Sequence, residues 1–297
     1  MGHTHGHAGA RHRWRLTAAL GLTSTFLVVE LLAALWSGSL ALLSDAGHMG
    51  IDVLALSTVL GATLIAARPD RSGRRTFGSY RAEVLASGLV VLLMLAVSAY
   101  VLVEALDRLG GSPDVAGGAL LAVGAAGLVV NAVAVLLLRG GAPESLAVKG
   151  AYLEVLADAA GSVGVLAAGV LVATTGEPLW DTLVAIGIAA FVAVRAVALG
   201  REVLSVLLQQ VPRDLDAGSV ESDLRALPGV TDVHDLHVWT LTSGMNVLTA
   251  HVVTQDEDAT HQVLDSARDV LRERHGVRHA TLQVEPATHT GCHEVGW

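Results

Sequence analysis

A helical bundle that crosses a membrane, followed by a small α+β domain, is the fold class the sequence predicts, and three observations predict it. Of 297 residues 52% are hydrophobic and only 16% charged, more apolar and less charged than an ordinary soluble chain. Before Pro212 the apolar residues gather into six runs, each near or above the ~20 residues a bilayer requires. After Pro212 the runs shorten, charge rises and strand-like alternation begins.

Residues 1–15 carry His3, His5, His7 and His12 among arginines and hold too little apolar surface to fold alone. They read as a disordered tail whose histidines either gather metal or merely solubilise it. The first run, 16–37, is longer than the apolar core of a cleaved signal, so it is expected to remain as a membrane helix. Further spans are expected at 40–66, 83–106, 115–138, 146–173 and 179–208, making a six-helix domain over 16–210. Arg68, Arg71, Arg74, Arg75 and Arg81 follow the second run, and Arg139 and Lys149 follow the fourth. The alternate connections hold one basic residue, Arg108. By the positive-inside rule this asymmetry puts both termini in the cytoplasm, beneath the cell membrane.

From 211 to 286 the order reads αββαβ: a short helix in VESDLRALPG, strands in TDVHDLHVWTLT and NVLTAHVVT, an amphipathic helix in ATHQVLDSARDVLRERHG and a last strand in VRHATLQVE. So small a domain gains from a partner copy in burying its core, which predicts a homodimer. The tail 287–297 holds His289, Cys292 and His293 and reads as disordered. A single cysteine excludes an intrachain disulfide, and a net charge of −9 gives no reason to expect nucleic acid.

Two pairs of ionisable residues interrupt apolar runs, His48 with Asp52 in SDAGHMGIDV and Glu154 with Asp158 in AYLEVLADAAGSVGV. Spacing by four stacks each pair on one helix face. Each such group costs about 2.5–3.5 kcal/mol at mid-bilayer, so the four together carry a penalty near 10 kcal/mol that structural hydrogen bonding explains poorly. One imidazole and three carboxylates suit a tetrahedral divalent cation, zinc first. Asp45, one turn before His48, is an auxiliary candidate, most naturally an outer acceptor for the imidazole. Glu30 and Asn131 stand alone in their runs and read as hydrogen bonds within the bundle. Arg81 and Glu83 open the third run, where snorkelling and ion pairing are normal.

In the second domain His234 and His237 are an odd number apart, so strand alternation sends them to opposite faces, and His251 can approach only one. A second metal site is read at His234, His251, His279 and Glu285, with His261 auxiliary.

The stretches LLSDAGHMGIDV, RTFGSYRAEVLAS, AYLEVLADAAGSVGV, VHDLHVWTLTSG, TAHVV and TLQVE together resemble the cation diffusion facilitator family over nearly the whole chain. That resemblance implies six spans, a metallochaperone-like (ferredoxin-like) cytoplasmic domain, a homodimer, and export of zinc or a related divalent ion, cadmium or cobalt among them, in exchange for protons. His48, Asp52 and Asp158 match the family's transport ligands, and His234, His251 and Glu285 its regulatory metal positions, with His261 and His279 at positions that vary in use. Glu154 stands where well-known zinc members have histidine and resembles the bacterial cobalt/zinc/cadmium-resistance branch. Tyr80 replaces the histidine of the FGYHR loop, so no metal is expected there. A manganese- or iron-selective exporter of the same family and a membrane-anchored metal sensor are the alternatives. An intramembrane metalloprotease fails for want of HExxH and of an open ligand position, so no enzyme is expected.

Overall fold

The computed structural model describes residues 7–66, 76–109, 116–140, 146–242, 244–255 and 260–288. His3, His5, Arg68, Arg71, Arg74, Arg75, His289, Cys292 and His293 lie outside these. Six long helices come first: α1 (His7–Ser37), α2 (Leu40–Ala66), α3 (Arg81–Arg108), α4 (Gly117–Arg139), α5 (Leu146–Thr175) and α6 (Leu179–Leu207). Then follow α7 (Ala217–Arg225), β1 (Val230–Thr242), β2 (Met245–Thr254), α8 (Thr260–Glu273) and β3 (His279–Pro286). Residues 7–15, expected in a disordered tail, are instead the opening turns of α1. Nothing in that stretch breaks a helix except weak glycine propensity, and the long apolar helix behind it supplies the nucleus.

The chain divides into two compact units, one of Met1–Leu60 with Leu89–Ala198 and one of Gly61–Gly88 with Leu199–Trp297. In the first unit polarity is inverted relative to a soluble bundle. Large apolar side chains such as Leu32, Leu35, Leu92, Leu106 and Val194 face outward, while Glu30, Asp45, His48, Asn131 and Asp158 are buried. That inversion marks a lipid-facing exterior. Among the described residues five helices, α1 and α3 to α6, are long and apolar enough to cross a membrane.

Small residues set the helix spacing inside this unit. A Cβ on Gly124 of α4 would meet the Leu166 backbone at 3.0 Å, and one on Gly169 of α5 would meet Leu121 N at 2.9 Å. The two helices therefore touch backbone to backbone, which in lipid replaces the absent hydrophobic driving force. Asn131 of α4 donates from Nδ2 to Ser162 Oγ of α5 at 3.1 Å, the intrabundle bond expected for it. Leu40, Leu42, Val101, Leu120 and Val165 fill the core between the helices.

The second unit contains a three-stranded sheet in the order β1-β2-β3, β1 antiparallel and β2 parallel to its neighbour. The parallel pair needs a crossover, and α8 supplies it. Val263, Ala267 and Leu271, spaced by four, are the buried stripe of α8 and pack with Val220, Leu224, Val233 and Leu248. Asp216 caps α7, accepting from Ser219 N at 3.1 Å. The αββαβ order is as the pattern predicts. In this same unit Thr242 Oγ1 at the end of β1 donates to Glu83 Oε2 at 2.6 Å, so the carboxylate at the start of α3 has a definite partner.

Candidate metal centre

Helical spacing brings His48 and Asp52 together on α2, with Nδ1 3.6 Å from Asp52 Oδ2. From α5, Asp158 Oδ1 stands 3.6 Å from the other ring nitrogen, Nε2. His48 and Asp158 are 2% and 5% exposed, so this imidazole is held between two carboxylates away from solvent. One ligand atom from each of the three residues lies within 4.8 Å of the others, close enough for a single ion to touch all. Glu154 sits one turn before Asp158 on α5, and its side chain lies outside the described residues.

Asp45 is outside that group. Its carboxyl lies against that of Glu30 on α1, and its Oδ1 reaches to 2.7 Å from where a Cβ on Gly161 would stand. A side chain at 161 would require the Asp45 carboxyl to shift. The partner of Glu30, anonymous in the sequence, is therefore the auxiliary candidate itself.

Two residues that sequence reasoning passed over shape the site. Asp181, in the first turn of α6, accepts from Ser39 Oγ at 2.6 Å, Leu40 N at 2.7 Å and Ala41 N at 3.3 Å. A carboxylate from another helix thus satisfies the open N–H groups at the start of α2, the helix that carries His48 and Asp52. Arg195 of α6 places Nη1 3.4 Å from His48 Nε2, and its guanidinium lies 5.8 Å from the Phe191 ring centroid. Phe191 in turn stands edge-on to His48 at 6.0 Å. The signal in the sequence is a single arginine inside an apolar run.

A second cluster lies in the sheet. His234 and His251 are cross-strand partners with ring centroids 5.1 Å apart. Glu285 of β3 is 2.7 Å from His251 Nδ1 and 4.0 Å from His234 Nε2. These three again have ligand atoms within 4.8 Å of one another. His234 Nε2 is buried without a hydrogen-bond partner among the described residues. Gln283 donates to Glu285 Oε1 at 2.8 Å, and Asp232 Oδ2 lies 3.6 Å from His234 Nδ1, groups placed to orient the ligands. His279 is exposed at the far end of β3, its ring 5.5 Å from Phe77, and His261 is exposed on α8; neither joins the cluster.

The opposite-face argument for His234 and His237 fails. His234 pairs with His251 and His237 with Thr249, which are two apart on one face of β2. An extra residue in β1 makes up the difference, at Asp235 with φ 50°, a bulge in a left-handed conformation that aspartate tolerates better than most residues. Val233 and Val238, also an odd number apart, accordingly both face the core.

With this geometry in hand, two family matches divide the chain: "Cation efflux transmembrane domain" over residues 16–208 and "Cation efflux protein, cytoplasmic domain" over 212–287. The chain is 42% identical over 287 residues to the "Metal cation efflux system protein CzcD" of Cupriavidus metallidurans, covering 96% of this chain and 90% of that protein. It is 34% identical to the "Zinc transporter ZitB" of Escherichia coli, covering 99% and 96% of the two. Identity to the "Cadmium, cobalt and zinc/H(+)-K(+) antiporter" of Bacillus subtilis is 32%, covering 97% and 93%.

Proposed function

The chain belongs to the cation efflux family, and we propose that it exports divalent metal cations, zinc first with cadmium and cobalt beside it, by alternating access in exchange for protons. One observation carries the reading: His48, Asp52 and Asp158 converge from two helices of an apolar bundle, with a ligand atom of each within 4.8 Å of the others. The relatives named for zinc, cadmium and cobalt support the choice of ion.

The transport ligands are His48, Asp52, Glu154 and Asp158. Imidazole binds a metal only when neutral and carboxylic acids only when ionised, so loading releases protons and acid on the far side drives unloading. The proposed arrangement has six spans, α2 included, with both termini in the cytoplasm beneath the inner membrane. The cluster at His234, His251 and Glu285 fits a regulatory metal, since it offers two imidazoles and a carboxylate within reach of one ion. Metal there would draw two protomers together, a shift of population rather than a step of transport. The cytoplasmic-domain match supports that role, as does the small core of the domain itself.

Reconstitution into proteoliposomes tests this directly. A gradient of zinc, cadmium or cobalt should drive proton movement of opposite direction. Glu154→His, which trades a carboxylate for an imidazole, should shift preference toward zinc and away from manganese. Metal uptake without proton movement would remove the exchange, and absence of metal movement for every ion would remove the reading.

A further inference from the structure

Arg195 has no part in the ligand set just described, yet it reaches the same atom. A guanidinium cannot shed its charge and offers only donors. Its hydrogen bond to His48 Nε2, 3.4 Å long, therefore uses the lone pair of a neutral imidazole. That lone pair is the one a metal ion would take, and the nitrogen is the one facing Asp158 at 3.6 Å. Guanidinium and metal cannot hold Nε2 together. The Phe191 ring, 5.8 Å from the guanidinium and edge-on to His48, gives the charge a second attraction at this spot.

We infer that Arg195 is a tethered stand-in cation, which covers His48 Nε2 while the transport site is empty and must withdraw as the divalent ion arrives. The inference rests on the transport reading and deepens it. A carrier that binds too tightly cannot unload, and an internal competitor weakens binding without removing a ligand. If Arg195 covers Nε2 for about nine-tenths of the time in the empty protein, apparent affinity falls about tenfold, the tax of a binding-competent state that is seldom populated. At unloading the same guanidinium returns to the nitrogen and hinders recapture.

The test measures zinc affinity and zinc release on the purified full-length protein, with transport in proteoliposomes alongside. Arg195→Gln should bind zinc about tenfold more tightly and release it correspondingly more slowly. Damage to the fold weakens binding, so a gain in affinity is a readout that a merely structural role does not produce. Arg195→Lys retains the charge but presents a compact ammonium on a different stem. It should cover Nε2 less well and tighten zinc by a smaller factor, and it carries the test by itself if Arg195→Gln does not accumulate as folded protein. Weaker or unchanged affinity in the folded variants, with wild type still transporting, would overturn the inference. So would tightening in Arg195→Gln with Arg195→Lys like wild type, since that is the signature of charge acting at a distance. Failure of wild-type protein to bind or move zinc at all would count against the transport reading instead.

Discussion

The two clusters use the same chemistry, histidine and carboxylate converging on one point, but they are assembled on different principles. In the bundle, His48 and Asp52 come together because a helix repeats every 3.6 residues, and only Asp158 must be brought from elsewhere. In the sheet every ligand comes from a different strand, His234 from β1, His251 from β2 and Glu285 from β3, so the cluster exists only if two registers are correct. The helical cluster is buried with an arginine beside it, whereas the sheet cluster is partly open to water. A buried site with its own countercharge suits an ion that must be released, and a partly open one suits equilibration with a surrounding pool.

Several changes would break or sharpen this contrast. The largest effect is expected from Asp158→Asn, which removes the carboxylate facing His48 and, on the proposed function, an anionic ligand. Transport of zinc should fall by at least the roughly 10–100-fold that loss of even an outer-shell partner costs a metal site. Zinc binding at His234, His251 and Glu285 should persist in the same protein, as binding stoichiometry would show. If both sites lost metal together, the clusters would be coupled rather than independent.

A smaller loss should follow Asp181→Ala, which leaves every ligand in place but strips the acceptors from Ser39 Oγ, Leu40 N and Ala41 N. Charge-assisted hydrogen bonds contribute about 1.5–3 kcal/mol each to such a contact, and the buried donors left behind add to the cost. Thermal unfolding in detergent should therefore shift downward, and transport should decline, while ligand chemistry remains intact. An unchanged melting temperature would mean that water or a neighbouring group takes over the cap.

His234→Ala should have the least effect on transport. Flux at saturating zinc should stay near wild type, while metal-dependent association of protomers, followed by sedimentation, should disappear. Loss of flux with dimerisation preserved would make the sheet cluster part of the transport route.

What was legible in the sequence follows the same division. The paired spacing on α2 and α5 could be read because it is local, and so could the αββαβ order, because alternation and helical periodicity differ. The Asp181 contact was illegible: its partners lie some 140 residues earlier, and nothing in LWDTL sets it apart from an ordinary acidic residue at a helix start. Arg195 stands in the sequence as a single charge within the apolar run 179–208, but nothing in that run pairs it with His48, some 147 residues earlier. The face of His237 was misjudged because the alternation rule assumes no inserted residue, and HDLH carries no sign of the bulge at Asp235. His279 looked equivalent to the other histidines until register placed it beside Val247, six residues along β3 from Glu285.

The Asp181 clamp has a mechanical consequence. Holding the first N–H groups of α2 against α6 turns that end of the helix into a pivot, so any tilt of α2 relative to α6 moves its residues in proportion to their distance from Leu40. At 1.5 Å per residue His48 lies about 12 Å from the pivot and Ala66 about 39 Å, so the far end sweeps roughly three times the arc of the ligand. A small displacement at His48 in such a tilt corresponds to one about three times as large at the end of the helix, with leverage set by where along α2 the histidine falls.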